Sequence, residues 1–321
     1  ASVLYGSDAI GGVVNLITRS GGRGAASGAI QTMYDSSANG FRYDAFVGGT
    51  VGSVSYFASG GISDAGDRTT PDGTLDSNGI DSTTGEPRRS GSASSSRNGS
   101  VKLKYAAGRF DAGVALDSYS VAYDVFTTPL NQPPALDATM NVPVTRRGKV
   151  SAFVELPDIT PDVTRLRIDV WRQDWTRRFD NWMSFYDVFG VPSEVTADYT
   201  LETIVVNKQR THGADIQAEL NAGEHSLTTG ISASKDDIGG TTKEKRRYGA
   251  LVPTLLLPWE RYRYDASMLT AAAFLQDEIE INRQSLLTAG ARYTLTRSEL
   301  TFTDDPSIIP PSGKTSDGHL V

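Results

Sequence analysis

Hydrophobic and polar residues alternate along most of the chain from about residue 27. The segments 101–105, 110–117, 165–170, 214–220 and 287–296 each place apolar residues at every second position. A period of two is typical of β-strands and does not fit a helix. The pattern predicts a nearly all-β chain with eleven strands, near residues 27–36, 40–50, 54–64, 99–107, 109–120, 146–157, 163–177, 200–220, 225–236, 267–281 and 285–299.

The predicted connections alternate between short and long. Short turns are predicted at Gly52-Ser53, Ala107-Gly108, 157–162, 221–224 and 282–284, with long polar segments near 65–97, 120–145, 177–200 and 236–265 between them. Outer-membrane β-barrels show this asymmetry, because short turns face the periplasm and long loops face the outside. The arrangement therefore favours a transmembrane antiparallel β-barrel.

Alternation alone does not say which face of the strands contacts lipid. The predicted strands reach or exceed the ~9–11 residues that cross a bilayer. One face also carries many charges, at Lys102, Lys104, Arg165, Arg167 and Arg292. A wet barrel interior solvates such charges, whereas a small dry core does not. We therefore expect the polar face inside and the apolar face in contact with lipid.

Composition excludes several classes of protein. The 321 residues carry 31 Lys and Arg against 38 Asp and Glu, a net charge of −7, which argues against a nucleic-acid partner. The absence of Cys excludes a disulfide scaffold. No stretch approaches ~18 apolar residues, so no transmembrane helix is predicted. No nucleophile–base or carboxylate pair stands out, no two His are close enough to indicate a metal site, and we predict that the chain is not an enzyme.

The first nineteen residues contain a specific motif. The stretch 2–19, SVLYGSDAIGGVVNLITR, resembles the end of the plug domain of TonB-dependent outer-membrane receptors. Residues at the matching positions are Ser2, Leu4, Tyr5, Gly6, Ala9, Gly11, Gly12, Val13, Asn15 and Thr18. The segments 271–281 and 287–293 resemble a pair of strands of the same barrels. We interpret Leu4, Tyr5, Gly6, Gly11, Gly12 and Asn15 as packing and hinge positions, because Gly permits tight turns and close backbone contact.

This resemblance implies a plug inside a barrel of about twenty-two strands. Residues 1–22 would then end the plug, and 23–321 would form the N-terminal half of the barrel, about eleven strands. The chain is accordingly expected to be a fragment, since a half-barrel has two unpaired edges in lipid. The resemblance also implies a location in the bacterial outer membrane and energy from the TonB–ExbB–ExbD complex. Outer-membrane lipid and lipopolysaccharide would be further partners.

The segments 210–220 and 224–230 resemble the haem and haemoglobin receptor branch of this family. That branch implies uptake of haem, or of iron from haemoproteins, with haem as transported ligand and no intrinsic cofactor. A ferric siderophore or another chelate is the alternative cargo. A passive porin or adhesin barrel is an alternative of another class, against which the plug motif argues.

No cargo-binding residue follows from the resemblance, so the candidates come from the residues themselves. The basic cluster 243–247 on the predicted loop 236–265 would contact haem propionates, lipopolysaccharide phosphates or solvent, through Lys245, Arg246 and Arg247. Tyr262 and His319, the latter expected in an extracellular loop, are further candidates. His225 is expected to be structural beside a turn, and His212 to point outward. The aromatic residues near the outer mouth are interpreted chiefly as a membrane-interface belt or loop packing, with cargo contact as the alternative: Trp175, Trp182, Phe185, Tyr186, Trp259, Tyr262 and Tyr264.

Overall fold

A computed structural model describes residues 21–22, 24–69, 88–89, 91–125, 135–186, 199–248, 255–256, 258–282, 284–305 and 316–320. Eleven long strands dominate it, as the alternation predicted. They are β1 (Ser27–Asp35), β2 (Gly40–Val51), β3 (Val54–Ala65), β6 (Ser94–Ala106), β7 (Asp111–Val125), β8 (Ala135–Pro157), β9 (Val163–Tyr186), β10 (Tyr199–Ala222), β11 (His225–Tyr248), β13 (Glu260–Asn282) and β14 (Ser285–Thr303). The short strands are β4 (Arg68–Thr69), β5 (Arg88–Arg89), β12 (Leu255–Leu256) and β15 (Ser316–Leu320).

The long strands form one antiparallel sheet in which each strand pairs with the next long strand along the chain. β12 pairs with β11, β15 pairs with β14, and β4 and β5 form a separate two-stranded ribbon. The segments 271–281 and 287–293 form the predicted pair, with Ala271 opposite Leu295 and Leu275 opposite Ala291. This meander is the connectivity of an up-and-down barrel wall.

The short connections predicted from the sequence all lie at one edge of the sheet, which we call the turn edge. They join β2 to β3, β6 to β7, β8 to β9, β10 to β11 and β13 to β14. Gly52, Gly108 and Gly223 have positive φ angles of 58°, 77° and 66° in three of these turns, a conformation that glycine adopts without steric cost. The turn between β1 and β2 and the longer connections lie at the opposite edge, which we call the loop edge.

The strands extend further toward the loop edge than the sequence predicted. β9 continues to Tyr186 and β11 to Tyr248, where ends near 177 and 236 were expected. Residues 177–186 and 199–200 of the first predicted loop, and 236–248, 255–256 and 260–265 of the second, are therefore strand, and for these residues the loop prediction was wrong. The reason is that strands rising above the bilayer are wet on both faces, so hydrophobic alternation no longer marks them.

One face of the sheet, which we call the outer face, is apolar and exposed. Leu103, Ile168 and Ile231 are 48%, 39% and 55% exposed, and Ala291 is also exposed. Among the described residues only five apolar side chains are buried, Ala38, Phe57, Val142, Ala272 and Phe274. The apolar side chains therefore do not converge on a sealed protein centre, and they suit contact with lipid. No helix in the described part of the chain is long and apolar enough to cross a membrane.

The opposite face, which we call the inner face, is polar. Arg167 forms ion pairs with Asp169 at 2.6 Å and Glu155 at 3.0 Å, and Arg165 contacts Glu219 at 3.2 Å. Lys104 is paired with Asp111 at 2.5 Å. These charges lie where the sequence placed them, on the side that a water-filled or plugged interior would solvate.

Candidate functional site

Charged and aromatic side chains meet on the inner face near the loop edge. Glu244 and Arg246 alternate along β11, and Glu260 and Tyr262 alternate along β13. Arg246 Nη2 lies 3.0 Å from Glu244 Oε2, and its Nη1 lies 3.9 Å from Glu260 Oε2. Tyr262 donates its hydroxyl to Glu260 at 2.7 Å. We call these four residues, with the aromatic row described next, the mouth cluster.

Three aromatic rings lie side by side on three neighbouring strands, and the one on β11 is two residues beyond Arg246. Tyr199 is opposite Phe185 on one side and Tyr248 on the other. The ring centroids are 5.6 Å apart for Phe185 and Tyr199, and 5.1 Å apart for Tyr199 and Tyr248. The rings form an aromatic wall whose planes are tilted by 40° and 48° to one another, and a flat ligand can contact it.

The electrostatics of the mouth cluster depend on Arg246. Glu244 and Glu260 are directly opposite each other across β11 and β13, a placement that is unfavourable for two like charges. The Arg246 guanidinium lies between them and offsets that repulsion. The hydrogen bond to Glu260 raises the pKa of Tyr262, and burial raises the pKa of Tyr199, so both phenols keep their protons. The cluster thus combines one cation, paired with the carboxylates of Glu244 and Glu260, with neutral hydroxyls and an aromatic wall.

The structure divides the basic cluster that the sequence predicted on a loop. Residues 243–247 lie in β11, so successive side chains point to opposite faces. Arg246 faces inward and lies in the mouth cluster together with Tyr262. These two are among the five cargo-binding candidates that the sequence predicted. Lys245 and Arg247 face outward, and the Lys245 Nζ lies 5.7 Å from the Trp259 ring centroid. The prediction of a single basic patch on a loop was wrong, because strand pairing continues through this segment.

The three histidines occupy separate places. His225 begins β11 at the turn edge, and its Nδ1 lies 2.7 Å from Asp277 Oδ2, as expected of a structural residue. His212 is exposed in the outer-face register of Ala214 and Ile216, as expected. His319 was expected in a loop but lies in β15, paired with Leu295. The structure does not describe its side chain.

Most of the mouth aromatics do not form a lipid-facing belt. Trp175, Phe185 and Tyr264 share the inner-face register, and Tyr264 donates to Asn207 at 3.2 Å. Trp182 is on the outer face and is 54% exposed. The belt interpretation is therefore wrong for the inward-facing rings, because their strand positions have the parity of the polar face. The side chain of Tyr186 lies outside the described residues.

Sequence reasoning missed Tyr199, Tyr248, Glu244 and Glu260 as members of the cluster. The spacing of Glu244, Arg246 and Tyr248 contained the signal, because alternate residues share a face once the segment is a strand. Treating 236–265 as a loop hid it. Among the residues that the structure describes, no group of three His, Asp or Glu is placed to hold a metal ion.

The chain enters the sheet from the inner side of its turn edge. The plug-like motif itself, with Leu4, Tyr5, Gly6, Gly11, Gly12 and Asn15, lies outside the described residues. Just after it, the Thr50 hydroxyl donates to the Gly22 carbonyl at 3.1 Å, and the Thr50 amide donates to the Gly24 carbonyl at 2.8 Å. Thr50 and Ser55 both have inner-face register, and their hydroxyls are 2.9 Å apart. The segment after the motif is therefore held against the polar face.

Comparison with known proteins adds a likeness of fold. No family model and no curated protein matches the sequence. Among solved structures, the chain is similar to the copper transporter OprC with a TM-score of 0.64 and 12% identity, over 94% of this chain and 42% of that chain. A RagAB peptide transporter structure matches with a TM-score of 0.42 and 10% identity, over 81% of this chain and 34% of that chain.

At 12% identity the likeness to OprC shows the fold. The chain has the fold of an outer-membrane transporter barrel, of which it forms a segment, and the predicted fold class is confirmed. It spans less than half the length of that relative. The exposed apolar outer face and the fold agree with the expected location in the bacterial outer membrane. The solved neighbours are transporters rather than enzymes.

Proposed function

We propose that the whole protein is a TonB-dependent transporter of the bacterial outer membrane. The observation that carries this proposal is the bonding of Gly22 and Gly24, directly after a plug-like motif, to the hydroxyl and the amide of Thr50, whose side chain is on the inner face. A stopper inside the barrel needs an energy source to move, which in this family is the TonB–ExbB–ExbD complex. The apolar outer face and polar inner face of the wall support the same reading.

A passive porin or adhesin is the competing class. It has no need of a stopper, so the full-length protein separates the two functions directly. In planar bilayers, a plugged transporter is expected to show little conductance until the plug is displaced or deleted. A permanently open pore in the intact protein would contradict the proposal. Uptake that persists without the TonB complex would contradict it as well.

For the cargo we propose haem, or iron taken from haemoproteins. The support is the resemblance of the segments 210–220 and 224–230 to the haem receptor branch, together with the chemistry of the mouth cluster. A porphyrin is flat and aromatic, and its two propionates are anionic. The wall of Phe185, Tyr199 and Tyr248 suits the ring. Arg246 is the cation of the cluster, and a propionate would pair with it in exchange for Glu244 or Glu260. A ferric siderophore is the alternative cargo, since catecholate and carboxylate chelates are also aromatic or anionic.

Growth of a receptor-deficient strain that carries the full gene tests the cargo. We expect rescue on haem as sole iron source, and the Arg246→Gln variant is expected to weaken rescue and haem binding about tenfold, the loss of one charge-assisted contact. Lys245→Gln is the matched control, because it removes the adjacent charge from the opposite face. Rescue by a siderophore but not by haem would refute the haem proposal and would leave the proposal of TonB-dependent transport standing. Equal effects of the two substitutions would remove the mouth cluster as its binding site.

A further inference from the structure

The outer face carries charged side chains between its apolar part and the loop edge. Counting from the turn edge, the first permanently charged side chain beyond the apolar stretch is basic on six strands, β6, β8, β9, β10, β11 and β14. These residues are Arg97, Arg146, Arg172, Arg210, Lys235 and Arg297. The corresponding residues on β3, β7 and β13 are acidic, Asp64, Asp124 and Asp265, so the border nearest the loops is basic on part of the wall, which includes β6 and β8. At the turn edge the connections carry Asp158, Asp162 and Glu224, together with Arg109.

Two of these basic residues lie on one line across the strands with a hydroxyl between them. Arg97 is opposite Ser120, and Ser120 is in turn opposite Arg146. Neighbouring strands are about 4.8 Å apart, so the Cα atoms of the two arginines are separated by roughly 10 Å. Both guanidinium groups are exposed, and neither has an ion-pair partner among the described residues. Their charge is therefore available to a ligand.

A groove runs beside this line, toward the membrane. Gly99, Ser118 and Gly148 are opposite one another on β6, β7 and β8. Because two of them have no side chain and the third has a small one, they leave a depression of about 570 Å³. A Cβ added at Gly148 would meet nothing within 4 Å. The depression reaches Arg172 and Asp174 on β9, where Asp174 is already paired with Arg172 at 3.0 Å and with Arg210 at 2.9 Å.

The next line toward the turn edge is apolar. Val101, Leu116 and Val150 line the lower side of the groove and are 45%, 53% and 53% exposed. The groove therefore has exposed arginines on one side and exposed hydrocarbon on the other. A lipid has the same division between its headgroup and its acyl chains.

We propose that this groove binds the phosphorylated headgroup of a lipid in the outer leaflet, with phosphate between Arg97 and Arg146 and an acyl chain along Val101, Leu116 and Val150. Arginine pairs with phosphate through two parallel hydrogen bonds, and the Ser120 hydroxyl supplies a third donor between them. A free phosphate would leave the apolar side of the groove uncovered. The inference rests on the membrane-barrel fold and is independent of the cargo.

Lipid retention by the full-length protein tests the proposal. The protein is reconstituted in nanodiscs of zwitterionic phospholipid containing a small fraction of phosphorylated lipid A, and bound lipids are counted by native mass spectrometry. Basic residues near a lipid surface contribute about 1 kcal/mol each, so the double variant R97Q/R146Q is expected to weaken retention about 30-fold. The matched control is R297Q/K243Q, which removes two outward-facing charges away from the groove.

A second variant tests the groove without changing charge. Gly148→Leu fills the depression where space is open, so it is expected to reduce retention while the protein folds and inserts normally. The wild-type protein is expected to retain lipid A that lacks its phosphates as weakly as R97Q/R146Q retains phosphorylated lipid A. Unchanged retention in R97Q/R146Q and G148L would overturn the proposal. Binding of inorganic phosphate alone, with no lipid retained, would overturn the assignment to a lipid.

Discussion

Substitution of a single outer-face residue tests which side of the wall meets lipid. Ile231 is 55% exposed, and its neighbours across the strands are Ile216 and Ala273, both also on the outer face. In a membrane these side chains are covered by hydrocarbon, and an arginine there costs about 2–4 kcal/mol at mid-depth of the bilayer. We therefore expect Ile231→Arg to lower the free energy of unfolding of the full-length protein by that amount.

Thr228→Arg on the same strand is the matched control. Thr228 has inner-face register and is opposite Glu219 and Gln276, so an arginine at this position remains solvated and gains an acidic neighbour. Its expected effect is within about 0.5 kcal/mol, as for a wet surface site. The assay is urea-dependent folding into phospholipid vesicles, followed by electrophoretic mobility and tryptophan fluorescence.

An enlarged outer-face side chain separates lipid contact from a protein core. Ala273→Leu adds hydrocarbon at an exposed position of the outer face, so stability in lipid is expected to stay the same or rise slightly. In a tight protein core the same change costs about 1–3 kcal/mol. A loss of that size in Ala273→Leu, or equal losses in Ile231→Arg and Thr228→Arg, would refute the assignment of the two faces.

Two further predictions concern the inner face and the mouth. A side chain added at Gly213 would overlap the Trp171 indole, so Gly213→Val is expected to cost about 1–3 kcal/mol, whereas Gly148→Val, with open space, is expected to cost little in the same urea titration. The pKa of Tyr262 is raised by its bond to Glu260, so this bond stabilises the fold below the ordinary phenol pKa of about 10 and is lost as pH rises through the raised value. The absorbance difference at the phenolate band between the wild type and Tyr262→Phe should therefore appear only at a pH above the ordinary phenol pKa. A difference that appears at the ordinary phenol pKa would contradict the hydrogen bond.

The alternation of apolar residues predicted the strand ends at one edge of the sheet better than at the other. The turn ends of the long strands were predicted almost to the residue, because Gly52, Gly108 and Gly223 interrupt a clear period of two. The strand ends at the loop edge were not predicted correctly, since β9 and β11 continue where neither face needs to be apolar. The error had a direct consequence for the site, because it placed Arg246 on a loop rather than on the inner face.

The sequence by itself determined the strand content, the turn edge and the chemical character of each face, since these depend on residues next to one another in the chain. Only the tertiary structure decided which residues meet across strands. The mouth cluster needs the register of β9, β10, β11 and β13, and the outer groove needs Gly99, Ser118 and Gly148 from three strands on one line. Register is fixed by backbone hydrogen bonds between segments that are distant in the chain, and a local period contains no information about which residue lies opposite which.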